Sequence, residues 1–439
     1  MRAFSFLLLL AVPGFLAGCG GGSSTTTTTG TTSTGSSSGS NVLAVAVNGG
    51  PQANQQDGSI YENATFASAT VCAPGSTSNC VTIDNLLVDT GSSGLRVFDS
   101  EVSSLNLPTV NASNGSAAYD CIAFVSGSYM WGRVQHADVT LAGEKAPSLP
   151  IQVISSSTSG VPSSCSNGST TNVNTAALLG ANGILGVGSE PTDCFYDGAS
   201  VCDPSSGLSS PPYPAYYSCT GSTGSACSPA FIAKPNQVTN PVVLFSTDNN
   251  GVIMELPSAT GAEASLTGSL IFGIGTESNN QLPSSATVLT LSCDDFTTVF
   301  DGKTLGVTNA STCAGPGSFI DSGSNGYFFP NAPNLPVCSS NTSIGNLSDF
   351  YCPDTTQSFS ATNKGQNGTS KSTNFSVANA EDLFTTSPTD AVFPTLGGVN
   401  PTGFGFDWGL PFFYGVNVYS SIDGQNMPPG APAAPWWAY

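Results

Sequence analysis

Leu86-Leu87-Val88-Asp89-Thr90-Gly91-Ser92-Ser93-Gly94-Leu95-Arg96-Val97-Phe98 sets one carboxylate directly after an apolar run and follows it with hydroxyl, glycine and serine. The pattern returns far downstream. Ser318-Phe319-Ile320-Asp321-Ser322-Gly323-Ser324-Asn325-Gly326-Tyr327-Phe328-Phe329 again places an aspartate between an apolar pair and a hydroxyl-Gly-Ser turn. Either stretch alone, in a chain rich in Gly and Ser, reads as an ordinary turn. Two copies with matching apolar flanks point to turns that face each other and share one site.

A lone carboxylate at the end of a buried strand is costly, so each aspartate needs compensation nearby. Thr90 and Ser92 supply short hydroxyl donors around Asp89, as Ser322 and Ser324 do around Asp321, while Gly91 and Gly323 permit a tight turn and close backbone approach. Two carboxyls brought together this way do not both ionise readily; they hold one proton between them and titrate as a unit. One member then serves as base on a water while the other polarises a carbonyl.

These paired motifs resemble those of the pepsin-like aspartic peptidases, and within that group a bacterial lipoprotein branch of unassigned function. The resemblance extends over about Leu86 to Tyr419. Gly183-Ile184-Leu185-Gly186-Val187-Gly188 and Asp407-Trp408-Gly409-Leu410-Pro411-Phe412-Phe413 follow the two aspartates at similar intervals. Both resemble the apolar-Gly element that crosses the active-site turn of each pepsin lobe, the second with Asp407 where an apolar residue is usual. Phe124 to Val134, leading into Ala137 to Gly143, resembles the flap hairpin. The flap tyrosine aligns with Phe124, with Tyr129 as an alternative, and Ser126 and Gly127 lie at the tip. Arg96 stands where the family often has a tryptophan that supports the flap. Gly268 to Gly275 is similar to a strand of the second lobe. The resemblance implies an all-β, bilobal pepsin-like acid protease fold: two pseudo-duplicated β lobes with a cleft between them. It also implies Asp89 and Asp321 as catalytic residues and a peptide or protein as substrate.

Residues 1–18 combine Arg2, an apolar run and small residues before Cys19, the pattern of a secretory signal. Leu16-Ala17-Gly18-Cys19 resembles a lipobox, which makes Cys19 the lipidated mature N-terminus and the membrane a partner through that lipid. Gly20 after the cysteine, by resemblance to known lipoproteins, favours the outer membrane. Residues 19–40 are almost only Gly, Ser and Thr and read as a tether. Short apolar runs separated by Gly, Pro, Asn and Ser clusters fill the rest, with no sustained helical period, so two β lobes are expected, 41–235 and 236–439. Ser155 to Thr175, Glu190 to Pro229 and Ser339 to Ser376 read as surface insertions.

Thirteen cysteines, less Cys19, leave an even number in an exported chain, which suggests disulfides. Sequence does not fix their connectivity, but Cys72 with Cys80, Cys194 with Cys202, Cys219 with Cys227, Cys293 with Cys313 and Cys338 with Cys352 are local loops, leaving Cys121 with Cys165. With no Cys-x-x-Cys and His136 the single histidine, neither a zinc site nor a Ser-His-Asp hydrolase is expected. No metal and no cofactor are implied.

A net charge of −20 argues against nucleic acid as a partner, and its self-repulsion at neutral pH makes acid tolerance an expectation. Arg96 packed by the dyad would lower the carboxyl pKa values; turned outward, the expected case, it would line a cleft or bind a substrate carboxylate. The reading is an aspartic endopeptidase, monomeric and lipid-anchored, in which Phe124 to Tyr129 close over the substrate. The rivals are a binding module that keeps the cleft without catalysis, recognising peptide or cell-wall material, and a surface adhesin.

Overall fold

The computed structural model describes residues 41–51, 60–124, 127–157, 160–166, 171–196, 199–211, 215–220, 226–306, 317–330, 335–400 and 405–439. The signal segment 1–18, Cys19 with the tether to residue 40, and Ser126 lie outside them.

Strand Cys80–Asp89 becomes buried on both faces over its last four residues. The reason is a crossing strand. Gly183–Val187, buried throughout, pairs parallel with Leu86 to Asp89 and antiparallel with the return strand Ser93–Phe98. Ser93–Phe98 in turn pairs parallel with Glu144–Ile154. A strand covered on both sides tolerates a continuous apolar run, and Leu86, Leu87 and Val88 supply it.

The second half repeats this order. Phe319–Ile320 pairs parallel with Asp407–Trp408, which pairs antiparallel with Tyr327–Phe329, which pairs parallel with Gly397–Val399. Each half thus threads a later segment between its aspartate strand and its return strand, as the two apolar-Gly stretches imply. The fold is all-β and bilobal, two halves on one plan.

Val42–Gly49 joins the halves, pairing antiparallel with Leu266–Phe272 on one edge and with Tyr61–Cys72 on the other. Its period-two alternation turns Leu43, Val45 and Val47 inward. They enter a core that also holds Val88, Leu95 and Leu185 of the first half and Ile320, Phe329 and Trp408 of the second. Asn63 fastens the halves more locally. It is buried, donates through Nδ2 to Asn325 O and Phe393 O, and accepts at Oδ1 from Phe393 N and Tyr414 Oη, all at 2.7–2.8 Å.

The three expected insertions all carry regular structure, the first a helical turn at Ser163–Ser166 and a short strand, Thr171–Asn172, paired parallel with Ser128 and Tyr129. Gln357–Lys364 and Ser370–Val377 form a long antiparallel hairpin, with Phe375 in the aromatic core. Tyr216–Thr220 adds to Ala117–Ala123, with Tyr216 and Tyr217 buried. The 357–377 hairpin buries only one face, so it needs an apolar residue only at alternate positions and among many Ser and Thr it looks like a loop. Bridges Cys72–Cys80, Cys121–Cys165, Cys194–Cys202, Cys219–Cys227 and Cys338–Cys352 are formed. Cys293 is also disulfide-bonded, and Cys313 lies outside the described residues.

Candidate active site

The two turns meet where the strands end. Thr90 N–H donates to Ser322 Oγ at 3.1 Å and Ser322 N–H donates to Thr90 Oγ1 at 2.9 Å. The same hydroxyls donate onward across the seam, Ser322 Oγ to Val88 O at 2.7 Å and Thr90 Oγ1 to Ile320 O at 3.3 Å. Thr90 and Ser322 therefore lock turn to turn, while the residues expected to orient the carboxylates divide differently. Asp89 accepts from Gly91 N–H at 2.8 Å and Ser92 Oγ at 2.5 Å; Asp321 accepts from Gly323 N–H at 2.7 Å and has Ser324 Oγ at 3.1 Å.

Each turn glycine faces the opposite carboxyl. A Cβ on Gly91 would fall 2.5 Å from Asp321 Cγ, and one on Gly323 would fall 2.8 Å from Asp89 Oδ1. Both aspartates are fully buried. Burial first, then the nearby Asp89 and Asp407 carboxyls, hold the Asp321 carboxyl well above the usual range, while the Gly323 N–H pulls the other way. A Cβ on Gly323 would also lie 3.1 Å from Asp321 Oδ1, and two buried carboxyls brought this near keep one proton between them. Such a pair can both take a proton from water and give one to a carbonyl oxygen or a departing amine.

The flap-like hairpin is present: Ala123 pairs with Tyr129, and Gly127 N–H donates to Phe124 O at 2.9 Å. Its two candidate aromatics lie on opposite faces. Phe124 packs with Phe66, Leu87, Met130 and Ile184, whereas Tyr129 packs with Tyr119, Trp131 and the Cys121–Cys165 bridge. Tyr61, packed against the Phe124 cluster, escaped the sequence reading. Its buried hydroxyl has no hydrogen-bond partner among the described residues, and burial, then Asp89, Glu62 and Asp321, push it up.

Arg96 does not line a cleft. Its side chain is 0% exposed, with Nη2 2.9 Å from Asp193 and 3.7 Å from Asp120, and Nη1 donates to Ser93 O at 2.8 Å. Tyr216 Oη donates to the same Asp193. A buried guanidinium needs such partners, and they come from segments distant in the chain, so the outward position expected from sequence is corrected. Arg96 ties its return strand to the Asp193 loop.

Asp407 entered the sequence reading only as a misfit in an apolar motif. It is fully buried beside the dyad, with Ser324 Oγ 2.7 Å from its Oδ2. Burial pushes its carboxyl well above the usual range and Asp89 adds to this, against the Ser324 hydrogen bond. A polar residue at a position that the local pattern reserves for an apolar one was the signal that could have marked it.

No curated protein matches the chain. Among solved structures, the aspartic proteinase from Irpex lacteus is similar at 17% identity and a TM-score of 0.40, with 87% of this chain and 93% of that chain covered. The family model described as "Protein of unknown function (DUF3443)" matches residues 37–439, and the chain belongs to that family.

Proposed function

We propose that this protein is an aspartic endopeptidase, hydrolysing peptide bonds with a water activated between Asp89 and Asp321. The observation that carries the reading is the reciprocal seating of the two turns, each glycine against the other's carboxyl, with both aspartates fully buried. In the ground state one carboxyl is ionised and takes the proton of the attacking water, while its protonated partner donates to the scissile carbonyl. The proton gained then passes to the departing amine. Ser92 and Ser324 hold the carboxyls through their hydroxyls, and Tyr61, whose hydroxyl feels both aspartates, would border the substrate. This chemistry calls for no metal or organic cofactor.

We also propose export, with Cys19 lipidated and the protein held at the outer membrane; the disulfides support an oxidising compartment. A second reading, a peptide- or wall-binding module on the same fold, is favoured by one observation: both carboxyls are shielded from solvent. The deciding experiment incubates the lipid-free protein with a mixed peptide library across pH 3 to 7 and maps cleavages by mass spectrometry, with pepstatin and Asp89→Asn as controls. Pepstatin-sensitive cleavage in acid, absent from Asp89→Asn, supports the enzyme. Uncleaved peptides, or cleavage that survives the substitution, support the binding module.

A further inference from the structure

Ser324 has one hydroxyl hydrogen and two carboxyl oxygens within reach, Asp321 Oδ2 at 3.1 Å and Asp407 Oδ2 at 2.7 Å. Only one of these oxygens can accept that hydrogen; the other contact must run toward Ser324 Oγ, from a protonated carboxyl. The surroundings of Asp407 decide which. Its ladder partners are Phe319 and Phe328, its chain neighbours Phe406 and Trp408 stack at 4.0 Å, and its Oδ1 has no hydrogen-bond partner among the described residues. A fully buried ionised carboxylate with one oxygen lacking a partner is far costlier than a carboxylic acid in the same place.

We infer that Asp407 is a third carboxyl of this site, a positioning residue that stays protonated, donates its own hydrogen to Ser324 Oγ and so leaves the Ser324 hydrogen for Asp321 Oδ2. The inference rests on the reading of Asp89 and Asp321 as a proton-sharing pair. Neutrality at Asp407 has a second effect: it removes a negative charge that would otherwise push Asp321 further up. Among the described residues, the titratable groups that act on or are acted on by Asp407 are these two aspartates. On the neighbouring strand Tyr327 is shifted by burial alone.

The test is a carboxyl-carbon NMR titration of aspartate-labelled protein from pH 3 to 9 in wild type, Asp407→Asn and Asp407→Ala, with Asp321→Asn to assign the dyad signals. An asparagine still donates to Ser324 Oγ, so the first dyad titration in Asp407→Asn should match wild type. Alanine removes that donor but leaves the Ser324 hydrogen with Asp321 Oδ2 as its acceptor, so the first dyad titration should again stay close to wild type. The Asp407 signal itself should stay protonated well beyond the ordinary carboxylate range. Dyad titrations that move down in both variants would mean that wild-type Asp407 is ionised, and would overturn the inference. Should Asp407→Ala fail to fold, Asp407→Asn decides alone, a match supporting and a downward shift refuting. This readout needs no peptide cleavage, so an inactive protein with the predicted titrations would sink the proposed function and leave the role of Asp407 standing.

Discussion

At Gly91 a single methyl group decides whether two carboxyls can share a proton. Its Cβ would sit 2.5 Å from Asp321 Cγ, closer than non-bonded carbons approach, so Gly91→Ala must drive the turns apart. A displacement of about 1 Å at reacting groups costs on the order of 100-fold in rate. We expect that loss in kcat/KM for Gly91→Ala, together with a downward shift of the Asp321 titration as Asp89 recedes; an unchanged titration would contradict the contact. The aspartates themselves were legible because turn chemistry is local: carboxylate, hydroxyl, glycine and serine stand side by side in the chain. Tyr61, Asn63 and Asp407 were not, since each owes its role to atoms brought up by a different segment. Arg96 was read with the wrong orientation for the same reason, its carboxylate partners lying far along the chain.

Between elements, the seam is held by side chains as much as by ladders. Asn63 sits on Tyr61–Cys72, one strand removed from the joining strand, and makes four hydrogen bonds across the seam to residues 325, 393 and 414. Asn63→Ala leaves buried backbone groups unpaired and should destabilise the fold by about 3 kcal/mol, read from chemical denaturation. A loss below about 1 kcal/mol would mean that the halves are held without it. Arg96→Ala leaves Asp193 and Asp120 buried together without their cation, a loss of about 3–5 kcal/mol. The strand plan around each aspartate was legible from the apolar-Gly stretches, because doubly covered strands carry unbroken apolar runs. The hairpin at 357–377 was hidden by its polar outer face.

Over the whole molecule, the balance of charges is 28 acidic against 8 basic residues, and several of the acids are buried. Burial raises Asp321, Asp407, Asp120 and Asp193, and partial burial takes the half-buried Glu62 up to about 7. A carboxyl whose folded pKa lies above its unfolded value contributes stability that is full below the unfolded pKa and is lost as pH rises toward the folded one. For Glu62 the window runs from 4.5 to about 7. The melting temperature should therefore fall between pH 4.5 and 8; a rise across that interval would contradict the burial of these groups. Net charge alone had suggested acid tolerance, and the folded chain adds this second cause, which composition does not reveal. The central claim is that Asp89 and Asp321 work as one acid–base unit, and the pH dependence of kcat/KM for a peptide cleaved by the wild-type protein tests it most directly. A bell with its maximum in acid, abolished by either Asp89→Asn or Asp321→Asn, is the result predicted. A profile with a single limb, or cleavage that survives either substitution, would contradict it.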